Sequence, residues 1–216
     1  MNVIELFSSI DGEGKRQGFL TTFLRLHDCN IRCSYCDTLY SYGPESTFES
    51  MGVQAVADAI EQLGNHRITI TGGEPLLQEL AIIELIDELT RRNARYDFNI
   101  ETNGTIIPSF HRDNVWFTYD YKTPSSLAED AMNLDIFKVA TPADIIKFVV
   151  GSMQDLDRMD EILKTYPTDA QIFVSPVWGN IEGATIVEYM KAHNWQNVRF
   201  QLQIHKFIWD PDAKGV

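Results

Sequence analysis

Cys29, Cys33 and Cys36 are the only cysteines of this 216-residue chain, and their spacing is C-x3-C-x2-C. A loop this compact can wrap an iron–sulfur cluster and present three thiolates from one side. A cubane cluster has four irons and prefers thiolate ligands, so three cysteines leave one iron open to a substrate or cofactor. An odd, clustered set is a poor disulfide framework. The competing reading is a structural zinc with His27 as fourth ligand. Such sites draw two ligand pairs from separated segments, and no second Cys or His pair of that kind is visible. His27 is expected to pack or hydrogen-bond near the cysteines.

Three further segments carry polar groups at the ends of strand-like runs. Thr71-Gly-Gly-Glu-Pro75 combines glycines, which let a backbone approach a ligand closely, with a carboxylate able to pair with an ammonium group. Alone, it would read as a turn. Glu101-Thr-Asn-Gly104 reads either as a ligand edge or as an Asn-Gly turn. Asp120-Tyr121-Lys122 supplies groups suited to a ribose or a carboxylate, or else an exposed loop. Arg25 stands in an apolar strand, where an unpaired charge is costly, so a ligand outweighs a surface ion pair.

The elements that must position these groups follow from hydrophobic periodicity. Short apolar runs predict strands at Val3–Phe7, Thr21–Leu26, Arg67–Thr71, Phe98–Glu101, Trp116–Tyr119, Ile145–Val150, Gln171–Ser175 and Val198–Gln201. Helical spacing predicts helices at Val53–Leu63, Leu80–Arg92, Leu156–Thr165 and Ile181–His193, with Arg91 and Arg92 suiting the C-terminal end of a helix dipole. Ser8–Gly18 reads as a loop. Alternating strands and helices imply an α/β fold with a largely parallel sheet, open or closed into a barrel. In such folds sites sit at the C-terminal ends of strands, where the segments above fall.

The length suits one domain spanning 1–216, and no linker or repeat divides it. The chain is 44% hydrophobic and 23% charged, the balance of a soluble globular protein. Its net charge of −13 repels phosphate backbones and argues against nucleic acid as the main partner. No basic start leads into an uninterrupted apolar run, and nothing approaches a membrane span, so a cytoplasmic protein with no membrane partner is expected.

The cysteine spacing at the end of an early strand resembles the signature of the radical S-adenosylmethionine (SAM) superfamily, in which an aromatic residue, here Tyr35, precedes the third cysteine. Ser9-Ile-Asp-Gly-Glu-Gly14, Phe23-Leu-Arg-Leu26, Asp37-Thr38, Lys122-Thr-Pro-Ser-Ser126, His205-Lys-Phe-Ile-Trp209 and Gly215-Val216 extend the likeness over most of the chain. Within the superfamily they are similar to the 7-carboxy-7-deazaguanine synthases. The resemblance implies a partial TIM-type barrel of about six parallel strands, the radical SAM core. It implies a 4Fe–4S cluster on Cys29, Cys33 and Cys36, SAM on the open iron, and Mg²⁺ on the Thr38 hydroxyl.

It further implies that Tyr35, Cys36, Asp37, Gly73, Glu74, Asp120, Tyr121 and Lys122 contact SAM. Substrate would meet main-chain groups of Ile10, Asp11 and Gly12, with Arg25 facing its carboxylate and Thr71 adding a contact. The implied reaction converts 6-carboxy-5,6,7,8-tetrahydropterin into 7-carboxy-7-deazaguanine and ammonia on the route to queuosine, through a 5′-deoxyadenosyl radical that takes hydrogen from C6. Implied partners are this pterin, a second copy in a homodimer, and an electron donor such as flavodoxin or ferredoxin. Two departures stand out: Asp11 replaces a frequent Glu or Gln, and Asp120-Tyr121-Lys122 replaces Ser-Pro-Lys. Glu13 is left open as a turn residue. The alternative is an activase that installs a glycyl radical on a partner protein.

Overall fold

The computed structural model describes residues 1–211 and 213–216. The strands β1 (Asn2–Ile10) and β2 (Leu20–Leu26) pair antiparallel with Glu5 opposite Arg25, and the two-residue β3 (Glu49–Ser50) lies antiparallel on the outer side of β1. Then follow α1 (Val53–Leu63), β4 (Arg67–Gly72), α2 (Glu79–Arg92), β5 (Asp97–Thr102), β6 (Val115–Tyr121), α3 (Ile136–Val139), β7 (Ile145–Val150), α4 (Met153–Thr165), β8 (Gln171–Pro176), α5 (Gly183–Ala192), β9 (Val198–Phe200) and α6 (His205–Ile208). The sheet order is β3-β1-β2-β4-β5-β6-β7-β8-β9, and β2 with β4 through β9 makes seven parallel strands. The ends of this sheet do not pair, so the molecule is a partial barrel, one parallel strand larger than expected.

Side-chain alternation separates two environments. On β6, Val115, Phe117, Tyr119 and Tyr121 are buried against the helix layer, whereas Thr118 and Asp120 line the barrel interior. The same period puts Leu24 and Leu26 of β2 in the core and Phe23 and Arg25 on the interior. The helix-facing side is thus nearly all apolar and the interior largely polar. Across the helices, Val56 and Ile60 of α1 and Ile82, Leu85, Ile86 and Leu89 of α2 form the matching apolar stripe.

Helix ends follow local chemistry. Gly64 closes α1 in the left-handed region at φ 77°, where a Cβ would be strained. Ser152 caps α4, its hydroxyl oxygen accepting from the Asp155 N–H. The short α3, α6 and β3 escaped the sequence reading because segments of two to four residues carry no measurable period. β1 also runs on to Ile10, into the stretch expected to be loop.

The loop after β1 fills the gap that the strands leave. Gln201, just after β9, bonds the main chain of Gly14 twice, accepting from its N–H and donating to its carbonyl, both at 2.8 Å. Arg16 bolts the same loop to the sheet. Its guanidinium donates to Asp11 at 2.9 Å, Asp97 at 2.6 Å, the Ile68 carbonyl at 2.9 Å and the Thr69 hydroxyl at 2.8 Å. Removing it strands the buried Asp11 carboxylate, so Arg16→Met is expected to cost about 3 kcal/mol, read as a lower urea midpoint with unchanged m-value. A midpoint equal to the parent's would show the bolt to be dispensable.

Among the described residues no helix is long and apolar enough to cross a membrane.

Candidate active site

Cys29, Cys33 and Cys36 are free thiols, each partly buried, and all three line one cavity of about 260 Å³. Their loop is braced on every side. Asp28 turns the chain in the left-handed region at φ 81° and its carboxylate accepts the Cys29 N–H at 2.7 Å. The Asp28 N–H donates to the Ser41 carbonyl, and the Ser34 N–H donates to the Ser126 carbonyl. Arg32 donates to the carbonyls of Cys29 and Ile31, both at 2.7 Å.

Gly72 and Gly73 give this loop its floor. A Cβ on Gly73 would lie 2.1 Å from the Asp28 carbonyl oxygen, and one on Gly72 would lie 2.2 Å from that of Leu26. The close neighbour that requires glycine is therefore the backbone of the cysteine loop, where the sequence alone suggests a ligand. Gly73 still lines the cavity.

The donor set suits an iron–sulfur cluster, because three thiols face one cavity and such clusters prefer thiolate ligands. Asn103 Nδ2 lies 3.8 Å from Cys29 Sγ and Thr38 Oγ1 lies 3.7 Å from Cys36 Sγ, so two of the sulfurs have polar neighbours of the kind that tune cluster potentials. Burial pushes the Cys29 and Cys33 thiols up, so ligation as thiolates releases protons. His27 packs against Phe48 with ring centroids 4.4 Å apart and the rings tilted by 40°.

The same cavity wall holds Ile10, Asp11, Gly12, Arg25, Tyr35, Asp37, Thr38, Thr71, Gly73, Asp120 and Lys122. Arg25 is ion-paired and also faces the cavity. Its Nε pairs with Glu5 at 2.6 Å across the β1–β2 ladder, and the side chain still lines the cavity. Thr38 precedes the 3-10 turn Leu39–Ser41, and its carbonyl accepts from both the N–H and the hydroxyl of Ser41.

Three of the expected ligand residues have groups committed to other partners in the structure. Glu74 is fully buried and off the cavity wall. Its carboxylate accepts the Leu76 N–H at 3.0 Å, the Thr102 hydroxyl at 2.8 Å and the Asn103 N–H at 2.7 Å, so it ties β4 to the end of β5. Burial holds it above the usual carboxylate range against those hydrogen bonds. The Tyr121 side chain points to the helix layer, because β6 alternates and Asp120 takes the interior; its hydroxyl donates to Glu129 at 2.8 Å. Asp11 has its main-chain groups already engaged, its N–H with the Phe19 carbonyl and its carbonyl with the Gly18 N–H.

Further polar and charged residues complete the interior, and of these Lys147 was not singled out by the sequence. Lys147 of β7 lies 2.8 Å from Glu13 and 3.9 Å from Asp120, and Lys122 lies 2.8 Å from Asp120. Burial opposes the charge on Lys122, yet Asp120 holds it above the usual ammonium range, while Lys122 and Lys147 hold Asp120 down against its own burial. One oxygen of Asp120, Oδ1, is buried without a partner among the described residues. Glu101, Asn103 and His205 line the cavity as well. For Lys147 the sequence carried no signal beyond a charge inside a strand that is otherwise apolar.

A partial α/β barrel with three cysteines at the C-terminal mouth of its second strand defines the radical SAM class. The sequence profile of the radical SAM superfamily matches residues 25–148. The chain is 38% identical over 219 residues to a 7-carboxy-7-deazaguanine synthase of Clostridium acetobutylicum, covering 99% of this chain and 98% of that one. It is 37% identical to the synthase of Methanospirillum hungatei, covering 98% and 86%. The crystal structure of QueE from Escherichia coli shares the fold, with a TM-score of 0.70 at 24% identity over 93% of this chain and 92% of that one. The chain belongs to the 7-carboxy-7-deazaguanine synthase family of the radical SAM superfamily.

Proposed function

We propose that the protein converts 6-carboxy-5,6,7,8-tetrahydropterin into 7-carboxy-7-deazaguanine and ammonia. The observation that carries this reading is the joint placement of Arg25, Thr38, Thr71 and the three cysteines on the wall of one cavity. The named relatives favour it over an activase.

In this reading Cys29, Cys33 and Cys36 hold the cluster, and Tyr35, Cys36, Asp37, Gly73, Asp120 and Lys122 surround SAM. The bound cluster and SAM supply hydrogen-atom abstraction and its reversal. Lys122 suits the carboxylate of SAM and the unpaired Asp120 oxygen suits a ribose hydroxyl. Arg25 takes the pterin carboxylate, with Glu5 fixing the guanidinium from behind. Ile10 and Gly12 contribute main-chain groups, and Thr71 a hydroxyl. Thr38 offers one oxygen to Mg²⁺, with substrate and water completing an octahedron. Residues 1–216 act as one domain, in the cytoplasm, as a homodimer reduced by a flavodoxin- or ferredoxin-type donor.

The test is anaerobic reconstitution, reduction, and incubation with SAM, Mg²⁺ and the carboxytetrahydropterin, with carboxydeazaguanine followed by mass. SAM cleavage without that product would sink the substrate while leaving the superfamily intact. Arg25→Ala is expected to weaken pterin binding by about 2 kcal/mol, some thirtyfold, with SAM affinity within a factor of a few. Equal losses for both ligands would remove its assigned role.

A further inference from the structure

Of the charged side chains that the strands and the loop after β1 place on the cavity wall beyond Arg25, Asp11 is paired with Arg16, Glu13 with Lys147, and Asp120 with Lys122. Glu101, one residue before the end of β5, is not paired. Its carboxylate lines the cavity and makes no hydrogen bond or ion pair among the described residues. A carboxylate open to the cavity and without a protein partner is available to a ligand there.

Sheet register says what it would face. Arg25 pairs with Thr71, Thr71 and Glu101 each lie one residue past the paired Ile70 and Ile100, and Glu101 pairs with Thr118. Arg25, Thr71, Glu101 and Thr118 therefore form one row across four neighbouring strands. A pterin anchored by Arg25 and Thr71 would lay its ring along this row.

We propose that Glu101 is the proton-transfer residue of the ammonia-releasing step. The inference rests on the reaction proposed above. That substrate and product differ by one molecule of ammonia, so the step needs no oxidant or reductant. In the ring-contracted isomer, the C–N bond breaks with its electron pair going to nitrogen. The neighbouring C–H bond gives its proton to the Glu101 carboxylate, and its electrons become the new ring double bond. Glu101, now neutral, passes that proton to the departing nitrogen and is restored as a carboxylate.

The surroundings suit a group that must serve in both forms. Lys147 on β7 is the facing cation, while Asp120 on β6 and Glu13 and Asp11 from the loop after β1 are the facing anions; β4 contributes the neutral Thr71, and Arg25 on β2 lies two strands along the row. Burial pushes Glu101 up to about 7, Lys147 pulls it down, and Glu13, Asp11 and Asp120 add to the rise. A carboxylate poised there exchanges protons at neutral pH far better than an ordinary one.

The experiment uses the reconstituted holoenzyme and pterin carrying deuterium at C6. In Glu101→Gln, deuterium should still move from the pterin into SAM at close to the parent rate, while ammonia and carboxydeazaguanine release fall by about 100-fold. Glu101→Asp should recover part of that release. Parent product release should rise with pH through about 7 as the carboxylate forms, and this limb should vanish in Glu101→Gln. Ammonia release at the parent rate in Glu101→Gln would overturn the proposal, as would deuterium transfer falling in parallel with product. Should the Gln variant not fold, a parent profile flat through that range overturns it equally. Parent enzyme that cleaves SAM yet transfers no deuterium from the pterin would overturn the substrate reading itself, a failure visible without any substitution.

Discussion

Cys33→Ser protein, reconstituted anaerobically with iron and sulfide, is expected to lack the visible absorbance of a 4Fe–4S cluster and to cleave SAM below detection. The reason is ligand chemistry: a hydroxyl is a hard, weakly acidic donor in a site whose remaining ligands are two thiolates. With one iron already left open for SAM, losing a second protein ligand leaves only two anchors. The fold should survive, because Cys33 is only partly buried and belongs to no core cluster, so circular dichroism should match the parent. Full iron content and parent SAM cleavage in Cys33→Ser would remove this thiol from the ligand set.

Gly73→Ala is expected to do nearly as much damage without touching a ligand. The added Cβ would lie 2.1 Å from the Asp28 carbonyl oxygen, 2.6 Å from its carbonyl carbon and 2.7 Å from Cys29 Cβ. None of these atoms ends a flexible side chain, so relief requires the backbone of the cysteine loop to move. Overpacking of this kind costs about 1–3 kcal/mol. A displacement of about 1 Å in positioned groups costs on the order of 100-fold in rate. Iron uptake and SAM affinity should both drop and thermal unfolding should come earlier. Gly52→Ala is the control, since nothing lies within 4 Å of its would-be Cβ. Gly73→Ala protein that binds iron and SAM like the parent would show that the floor of the loop is not tightly packed.

Both predictions concern a segment whose chemistry could be read directly from the chain. The three thiols fall within one loop, so their spacing alone limits what they can bind. Helix and strand positions were equally legible where period and length were sufficient. Val53–Leu63 matches α1, and Ile145–Val150 matches β7. The seven-strand count and the antiparallel β1 and β3 were not, because pairing partners are chosen between segments far apart.

The roles of single residues divide in the same way. The types and spacing of Cys29, Cys33 and Cys36 pointed to a cluster before any fold was known, whereas the roles expected of Arg25 and Thr38 came only from the family resemblance. Glu74 and Tyr121 show the boundary: each sits inside a motif, yet burial and strand alternation turn their side chains away from the cavity. Lys147 shows it from the other side, for it stands in no telling local pattern, and Glu101, in a segment that reads as a ligand edge or a turn, gains its charged setting only in the fold. Their facing charges come from the loop after β1 and from β6, and only sheet register makes them neighbours. Local sequence determined what chemistry the cysteine loop can hold. Tertiary structure decided which charges surround it, because pairing and desolvation depend on strands brought together from the whole chain.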